Sequence, residues 1–228
     1  MVSTSLRFLG HAALWLETGD SHILVDPFIT GNPLAPVKAE DLQPEYILVT
    51  HGHGDHLGDS VEIARRSGAA VITNAEIRDW LKQKSVRSFG MNIGGSHQFP
   101  FGTLKMTQAI HSSGLDDGTP GGSPAGFVLR TLDEKCLYMA GDTGLFGDMK
   151  LIGDEGLDVA LIPIGDNYTM GPEDALRAVK LLHPRIVIPI HYNTFEVIKQ
   201  DARAWAELVE SQTGTKVHIL EPGETLRL

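Results

Sequence analysis

Cysteine is almost missing from this chain. Cys136 is the only one, so no disulfide can form within the chain. A thiol inside the apolar run Cys136-Leu137-Tyr138-Met139-Ala140 reads as a buried, inert packing residue. Long apolar runs are missing too: none approaches the roughly 20 residues of a membrane-spanning helix. The N-terminus lacks the basic region, apolar core and cleavage site of an exported chain, and no stretch reads as an amphipathic membrane-surface helix. These absences predict a cytoplasmic location without a membrane partner. Positive charge is scarce, with 19 Lys and Arg against 29 Asp and Glu and a formal net charge of −10. There is no Lys/Arg-rich extension and no aromatic–basic stripe, which argues against nucleic acid as a partner. A small anionic substrate is still compatible, because divalent cations held in a cleft would reverse the local field.

What is present is ordinary globular material, 42% hydrophobic and 21% charged over 228 residues, read as one domain spanning 1–228. No fixed-period repeat occurs. The first third reads as strands over 5–10, 12–17 and 21–26, with Thr18-Gly19-Asp20 as a hairpin turn and an irregular connection over 31–44. Tyr46 to Val49 is a buried strand. Asp59 or Ser60, with Glu62 three residues after Asp59, is placed to cap a helix ending at Gly68. A strand over 70–73 and a helix capped by Asn74 follow. The middle returns to strands over 103–110, 125–132 and 135–140. The last third alternates a strand over 159–164, a helix opened by Pro172 with Glu173 and Asp174 in its first turn, a strand over 185–190, a helix over 201–213 and strands over 216–220 and 224–228. Two similar halves, each β-rich and then α/β, predict two sheets packed face to face with helices outside both.

The chemistry concentrates in Thr50-His51-Gly52-His53-Gly54-Asp55-His56-Leu57-Gly58-Asp59. In extended backbone, residues two apart point to one side, so His51 and His53 can grip one cation. Gly54 lets the chain turn and aim Asp55 and His56 at a second position. Imidazole and carboxylate suit zinc, iron, nickel or manganese. His111, Asp142 and His191 share a context with the motif, each standing directly after an apolar strand run, where a scaffold can converge distant side chains. Singly, each has a plainer reading as a core-edge histidine or a turn aspartate. Behind a motif that still needs ligands, they read together as ligands.

With these residues in hand, the chain resembles the metallo-β-lactamase superfamily of metal-dependent hydrolases. The likeness is closest to the ascorbate-6-phosphate lactonase-like branch, and within it to members known only as metal-dependent hydrolases. It is carried by Gly10-His11-Ala12, Val25-Asp26-Pro27-Phe28, the His51-x-His53-x-Asp55-His56 motif, His111, Gly141-Asp142-Thr143-Gly144, Thr169-Met170-Gly171-Pro172 and His191-Tyr192-Asn193-Thr194-Phe195, and it spans essentially the whole chain. The fold it implies is the α/β four-layer αββα sandwich. It implies two divalent metal ions per chain, zinc foremost, with manganese, nickel or iron also accommodated. His51, His53 and His111 would hold one ion, Asp55, His56 and His191 the other, and Asp142 would bridge them. His53 stands where the diiron oxygen-reducing members resemble one another in having Glu, which argues against a redox role. A carboxylate at Asp142 resembles the dinuclear hydrolases rather than the zinc β-lactamase class that has cysteine.

The expected activity is hydrolysis of a small ester, lactone or phosphoester by a metal-bridging hydroxide, since bound water can have its pKa lowered to about 7. Asp55 and Asp142 would be the catalytic carboxylates. Four further residues are candidates for substrate contacts or for groups standing behind the ligands. Asp26 could accept the N–H of a metal-bound histidine, or simply cap the turn after its strand. His11 could contact substrate or an oxyanion, or be a satisfied histidine at a strand break. Tyr168 and Asn193 could reach the substrate from late loops, or be solvated there. The Gly/Ser/Asp/Pro-rich loop over 112–124 starts beside a ligand and reads either as a lid closing over the substrate or as plain flexible surface. The alternatives are a nuclease or phosphodiesterase resembling ribonuclease Z, and a non-catalytic metal-binding protein. The sequence is equally compatible with a monomer and a homo-oligomer.

Overall fold

A computed structural model describes residues 3–228. Alternation of apolar and polar side chains organises its strands. In β1 (Thr4–Phe8), for example, Thr4, Leu6 and Phe8 are buried while Ser5 and Arg7 are half-exposed. The other strands of the first half are β2 (Leu14–Thr18), β3 (Ser21–Val25), β4 (Tyr46–Leu48), β5 (Ala70–Asn74) and β6 (Ser88–Met91). The second half supplies β7 (Ser96–Phe99), β8 (Gly102–Gln108), β9 (Ala125–Thr131), β10 (Cys136–Met139), β11 (Val159–Pro163), β12 (Ile186–Ile190) and β13 (Lys216–Val217), and β14 (Thr225–Arg227) closes the chain. The helices are α1 (Gly54–Leu57), α2 (Ser60–Ser67), α3 (Ala75–Gln83), α4 (Met149–Gly153), α5 (Pro172–Leu182) and α6 (Ala202–Gln212).

The strands form two seven-stranded sheets, ordered β14-β1-β2-β3-β4-β5-β6 and β13-β12-β11-β10-β9-β8-β7. Each is antiparallel at one end and parallel at the other. In the first, the pairings from β14 through β3 are antiparallel and those from β3 through β6 parallel. In the second, β7 through β10 pair antiparallel and β10 through β13 parallel. The inner parallel strands are buried on both faces, as in Val159–Pro163, where every residue is buried; the edge strands β6 and β13 are not.

Three apolar layers define the stacking. Leu6, Leu16 and Ile23 of the first sheet meet Phe127, Leu137 and Leu161 of the second in the central layer. Ile47 and Val71 on the outer face of the first sheet pack with Ile63 of α2 and Ile77 and Leu81 of α3. Tyr138 and Ala160 on the outer face of the second pack with Leu176 and Val179 of α5 and Trp205 and Val209 of α6. Helix, sheet, sheet, helix is the expected αββα order.

Side-chain caps form at two of the helix starts. Asn74 Oδ1 accepts the Ile77 N–H at 2.9 Å, and Asp201 Oδ1 accepts those of Arg203 and Ala204 at 3.0 Å each. The capping box at α2 does not form: Asp59 makes no side-chain cap bond there. Its carboxylate instead accepts the N–H groups of Ile29 and Thr30, at 3.0 and 2.8 Å. Asp59 thus ties the loop after β3 to the metal motif.

Candidate metal centre

Six segments bring the candidate ligands together, and each follows a strand. His11 comes after β1, Asp26 after β3, His51 to His56 after β4, His111 after β8, Asp142 after β10 and His191 after β12. Ligands carried at strand ends inherit the rigidity of the sheets, which is what a multi-residue site requires. The motif leaves β4 in extended backbone through His53 (φ −65°, ψ 148°) and then enters the short helix α1. Gly54 therefore opens a helix rather than making the sharp turn the sequence suggests. The tight approach is at Gly58 (φ 42°), where a Cβ would fall 2.3 Å from Pro27 O. Three site residues, His11, Asp26 and His191, hold positive φ (59°, 42° and 56°) without being glycine, a strain that persists only where surrounding contacts enforce it.

The geometry places His51, His53 and His111 in one group and Asp55, His56 and His191 in another that also contains His11, with the donor atoms of each group within 4.8 Å of one another. His51 Nε2 and His53 Nδ1 are 3.0 Å apart. Asp142 lies between the groups: Oδ1 is 3.1 Å from His56 Nε2, and Oδ2 is 3.1 Å from His191 Nε2 and 3.5 Å from His111 Nε2. Among the described residues, His56 Nε2, His191 Nε2 and Asp142 Oδ1 are buried without a hydrogen-bond partner despite this proximity. Buried polar atoms that stand side by side and do not bond each other are costly unless a shared partner satisfies them. A divalent cation is such a partner, so the residues present fit the metal the motif implies.

Two residues behind the ligands set their tautomers. Asp26 accepts three hydrogen bonds: from Thr50 N–H at 2.8 Å, Thr50 Oγ1–H at 2.7 Å and His56 Nδ1–H at 2.8 Å. With the Nδ1 proton held by Asp26, Nε2, which faces Asp142, is the nitrogen that would present a lone pair to a cation. Because the Thr50 hydroxyl proton is committed to Asp26, its oxygen accepts the His51 Nδ1–H at 3.0 Å, which frees His51 Nε2 as well. Asp26 thereby orients one histidine of each group. Thr50 escaped the sequence reading, and nothing in its local spacing marks it.

Burial lowers His51 and His111 below the usual imidazole range, and it lowers His11 to about 4 against the pull of Asp55. Burial acts the same way on His56 and His191, but carboxylates overrule it. Asp142 and Asp26 raise His56 well above its ordinary value, and Asp142 with Asp55 raises His191 to about 9. Burial alone would raise Asp142 and Asp55, but both are held well below the carboxylate range, Asp142 by His56 and His191 and Asp55 by His11, His191 and His56. Without a metal, these carboxylates favour the protonated forms of His56 and His191, and ligation competes with those protons. Calorimetric titration with zinc at pH 7, in buffers of different ionisation enthalpy, is expected to show net proton release on binding. Zero net release would contradict the cationic pair.

The weaker candidates separate. His11 is buried against Asp55, with Nε2 3.2 Å from Asp55 Oδ2. The Asn193 side-chain oxygen accepts the Gln200 N–H at 2.8 Å and so fastens its own loop. Tyr168 is exposed, on a loop that reaches the site where Met170 N–H bonds Thr143 O. The 112–124 loop is tied down rather than poised to close. Leu115 is buried in the layer beneath it, and Ser113 Oγ accepts the Gly52 N–H at 3.1 Å. Asn74 Nδ2 donates to Gly121 O and Ser123 O, at 2.6 and 3.0 Å, and Trp80 Nε1–H bonds Asp117 at 2.7 Å. With that many anchors the segment is a fixed wall, with Asp116 close over Gly54, which corrects the lid expectation.

Comparison with known proteins agrees with the fold and the donor set. The family described as Beta-lactamase superfamily domain matches residues 21–192. A UPF0173 metal-dependent hydrolase of Heliobacterium modesticaldum is 48% identical, covering 98% of this chain and 97% of its own. One from Pelotomaculum thermopropionicum is 51% identical, covering 98% and 99%. Among solved structures, a metallo hydrolase from the hyperthermophilic archaeon Ignicoccus hospitalis superposes with a TM-score of 0.91 at 41% identity, over 99% of this chain and 98% of that one. No helix among the described residues is long and apolar enough to cross a membrane. The chain belongs to the beta-lactamase superfamily domain family and, within it, to the UPF0173 metal-dependent hydrolases.

Proposed function

We propose that this metal-dependent hydrolase acts in the cytoplasm on a small carboxylic ester or lactone, using two divalent ions, zinc foremost. The observation that carries the reading is Asp142, whose two oxygens face histidines of both groups at 3.1 to 3.5 Å. Bound divalent ions supply a water activated near neutral pH and polarise the group under attack. The protein's own part is positional. Asp26 and Thr50 hold the imidazoles in the tautomer that presents Nε2, and Asp142 and Asp55 supply anionic oxygens.

Two features favour an ester or lactone over a phosphoester. Across the loops that surround the site (10–13, 26–32, 50–59, 109–124, 141–147, 165–171 and 191–199) there is no arginine, and the only lysine is Lys199, which pairs with Glu196 at 3.0 Å. A phosphate group would find no side-chain clamp there. Ile110, Phe195 and Val197 are meanwhile exposed on segments next to His111 and His191, where they suit an acyl or alkyl group. The test is metal content by elemental analysis, combined with turnover of p-nitrophenyl acetate, a γ-lactone and bis-p-nitrophenyl phosphate. About two ions per chain are expected, with ester or lactone turnover that a chelator abolishes and zinc or manganese restores. Turnover indifferent to chelation would end the metal-hydrolase mechanism, and phosphodiester turnover alone would reverse the substrate class.

A further inference from the structure

We propose that His11 is a metal ligand, completing with Asp55, His56 and His191 the second metal position, and that the Thr194 hydroxyl holds its ring for that role. The inference rests on the metal-centre reading above and extends it to a residue outside the motif and outside the ligand set that the sequence suggests. His11 is fully buried, so both ring nitrogens need partners. Nδ1 lies 2.8 Å from Thr194 Oγ1, and Nε2 lies 3.2 Å from Asp55 Oδ2.

The backbone aims the ring. His11 holds φ 59° directly after Gly10 at φ 93°, and its carbonyl accepts the His191 N–H at 2.8 Å. The two histidines are thus tied main chain to main chain, and their rings lie 4.0 Å apart between centroids. Phe28 and Phe195 each stand edge-on to the His11 ring, at 5.6 Å. Boxed in this way, the ring has no other direction for Nε2 than toward Asp55 and His191.

The distances match a coordination sphere. Two donor atoms each about 2.1 Å from one ion are roughly 3.0 to 4.2 Å apart, depending on the angle between them. His11 Nε2 to Asp55 Oδ2 is 3.2 Å and His191 Nε2 to Asp55 Oδ2 is 3.7 Å. Thr194 supplies what a ligating histidine requires behind it. A threonine hydroxyl can accept as well as donate, so it takes the Nδ1–H and leaves the Nε2 lone pair for a cation, the arrangement in which ligating histidines are normally held. A hydrogen bond from His11 to Asp55 alone would use the same atoms, and the experiment separates the two roles.

Full-length, chelator-treated protein is titrated with cobalt(II) alone, read by its visible d–d absorption, for the parent chain and for His11→Ala, His11→Gln and Thr194→Val. Far-UV circular dichroism reports folding. The parent is expected to take up two equivalents. His11→Ala and His11→Gln should keep the first and bind the second at least about 10-fold more weakly, with a changed d–d band. Thr194→Val should shift the second equivalent in the same direction by less. An unchanged second affinity and band in His11→Ala overturns the proposal. So does full rescue by His11→Gln, whose amide can donate to Asp55 but does not replace imidazole, and so does a parent that takes no second equivalent. If His11→Ala does not fold, the Gln and Val titrations decide. A parent with two cobalt ions, a weakened second site in the variants and no hydrolytic activity supports His11 as ligand while removing the hydrolase reading.

Discussion

Asp142→Asn is expected to fold, to lose about one of the two metal ions proposed per chain, and to lose turnover by about 10³-fold or more, equivalent to about 4 kcal/mol of transition-state stabilisation. The change is nearly isosteric, so packing after β10 survives. Gly141 adopts φ 61° against Thr50, where a Cβ would fall at 2.8 Å, and Thr143 Oγ1 still accepts the Ile110 N–H at 2.9 Å. What changes is charge and acceptor count. An amide offers one weakly donating oxygen where the carboxylate offers two anionic ones, and those two face His56 on one side and His191 and His111 on the other. The two cations proposed would need an anion between them, and among the described residues no other carboxylate touches histidines of both groups. Elemental analysis and kcat/KM on the same preparation check this. Two retained ions with turnover within about 10-fold of the parent would show that Asp142 does not bridge.

The parts of this architecture that the sequence made legible are those governed by short-range pattern. Alternation and buried apolar runs marked most strands, and because ligands stand directly after β4, β8, β10 and β12, His51, His53, His111, Asp142 and His191 could be read as one set. What escaped has non-local causes. Strand β7 is short, and Ser96, His97 and Gln98 are all exposed, so no apolar alternation marks it. Helix α1 has four residues, too few for a helical period. Asp59 carried the local signature of a cap, but its partners Ile29 and Thr30 lie 30 and 29 residues away, and that competition decides where its oxygen goes. His11 was noticed as a residue and not understood as a position. Its partners Asp55 and Thr194 are 44 and 183 residues distant, and only the packed sandwich brings them to its ring.

The same dependence on distant partners makes Asp26 the most sensitive structural position in the centre. Asp26→Ala is expected to lower the unfolding free energy of chelator-treated protein by about 3–5 kcal/mol, a fall in Tm of about 10 °C for a chain of this size. Asp26 is buried and its carboxylate accepts all three bonds described above. Truncation leaves the Thr50 N–H, the Thr50 hydroxyl and the His56 Nδ1–H without acceptors in a region closed to water. It also removes one of the two carboxylates that hold His56 cationic. Alanine at φ 42° adds backbone strain that aspartate tolerates better. Asp26→Asn isolates the terms, because it suits the backbone and keeps one acceptor while losing the charge and the second acceptor, so it should fall between parent and Ala. Urea unfolding without metal measures the fold alone. Repeating it with zinc adds the linkage term, which should shrink in both variants, because His56 and, through Thr50, His51 lose the partner that fixes their tautomers. A loss below about 1 kcal/mol in Asp26→Ala would show that the network contributes no more than an ordinary hydrogen bond and that the histidines are oriented by packing instead.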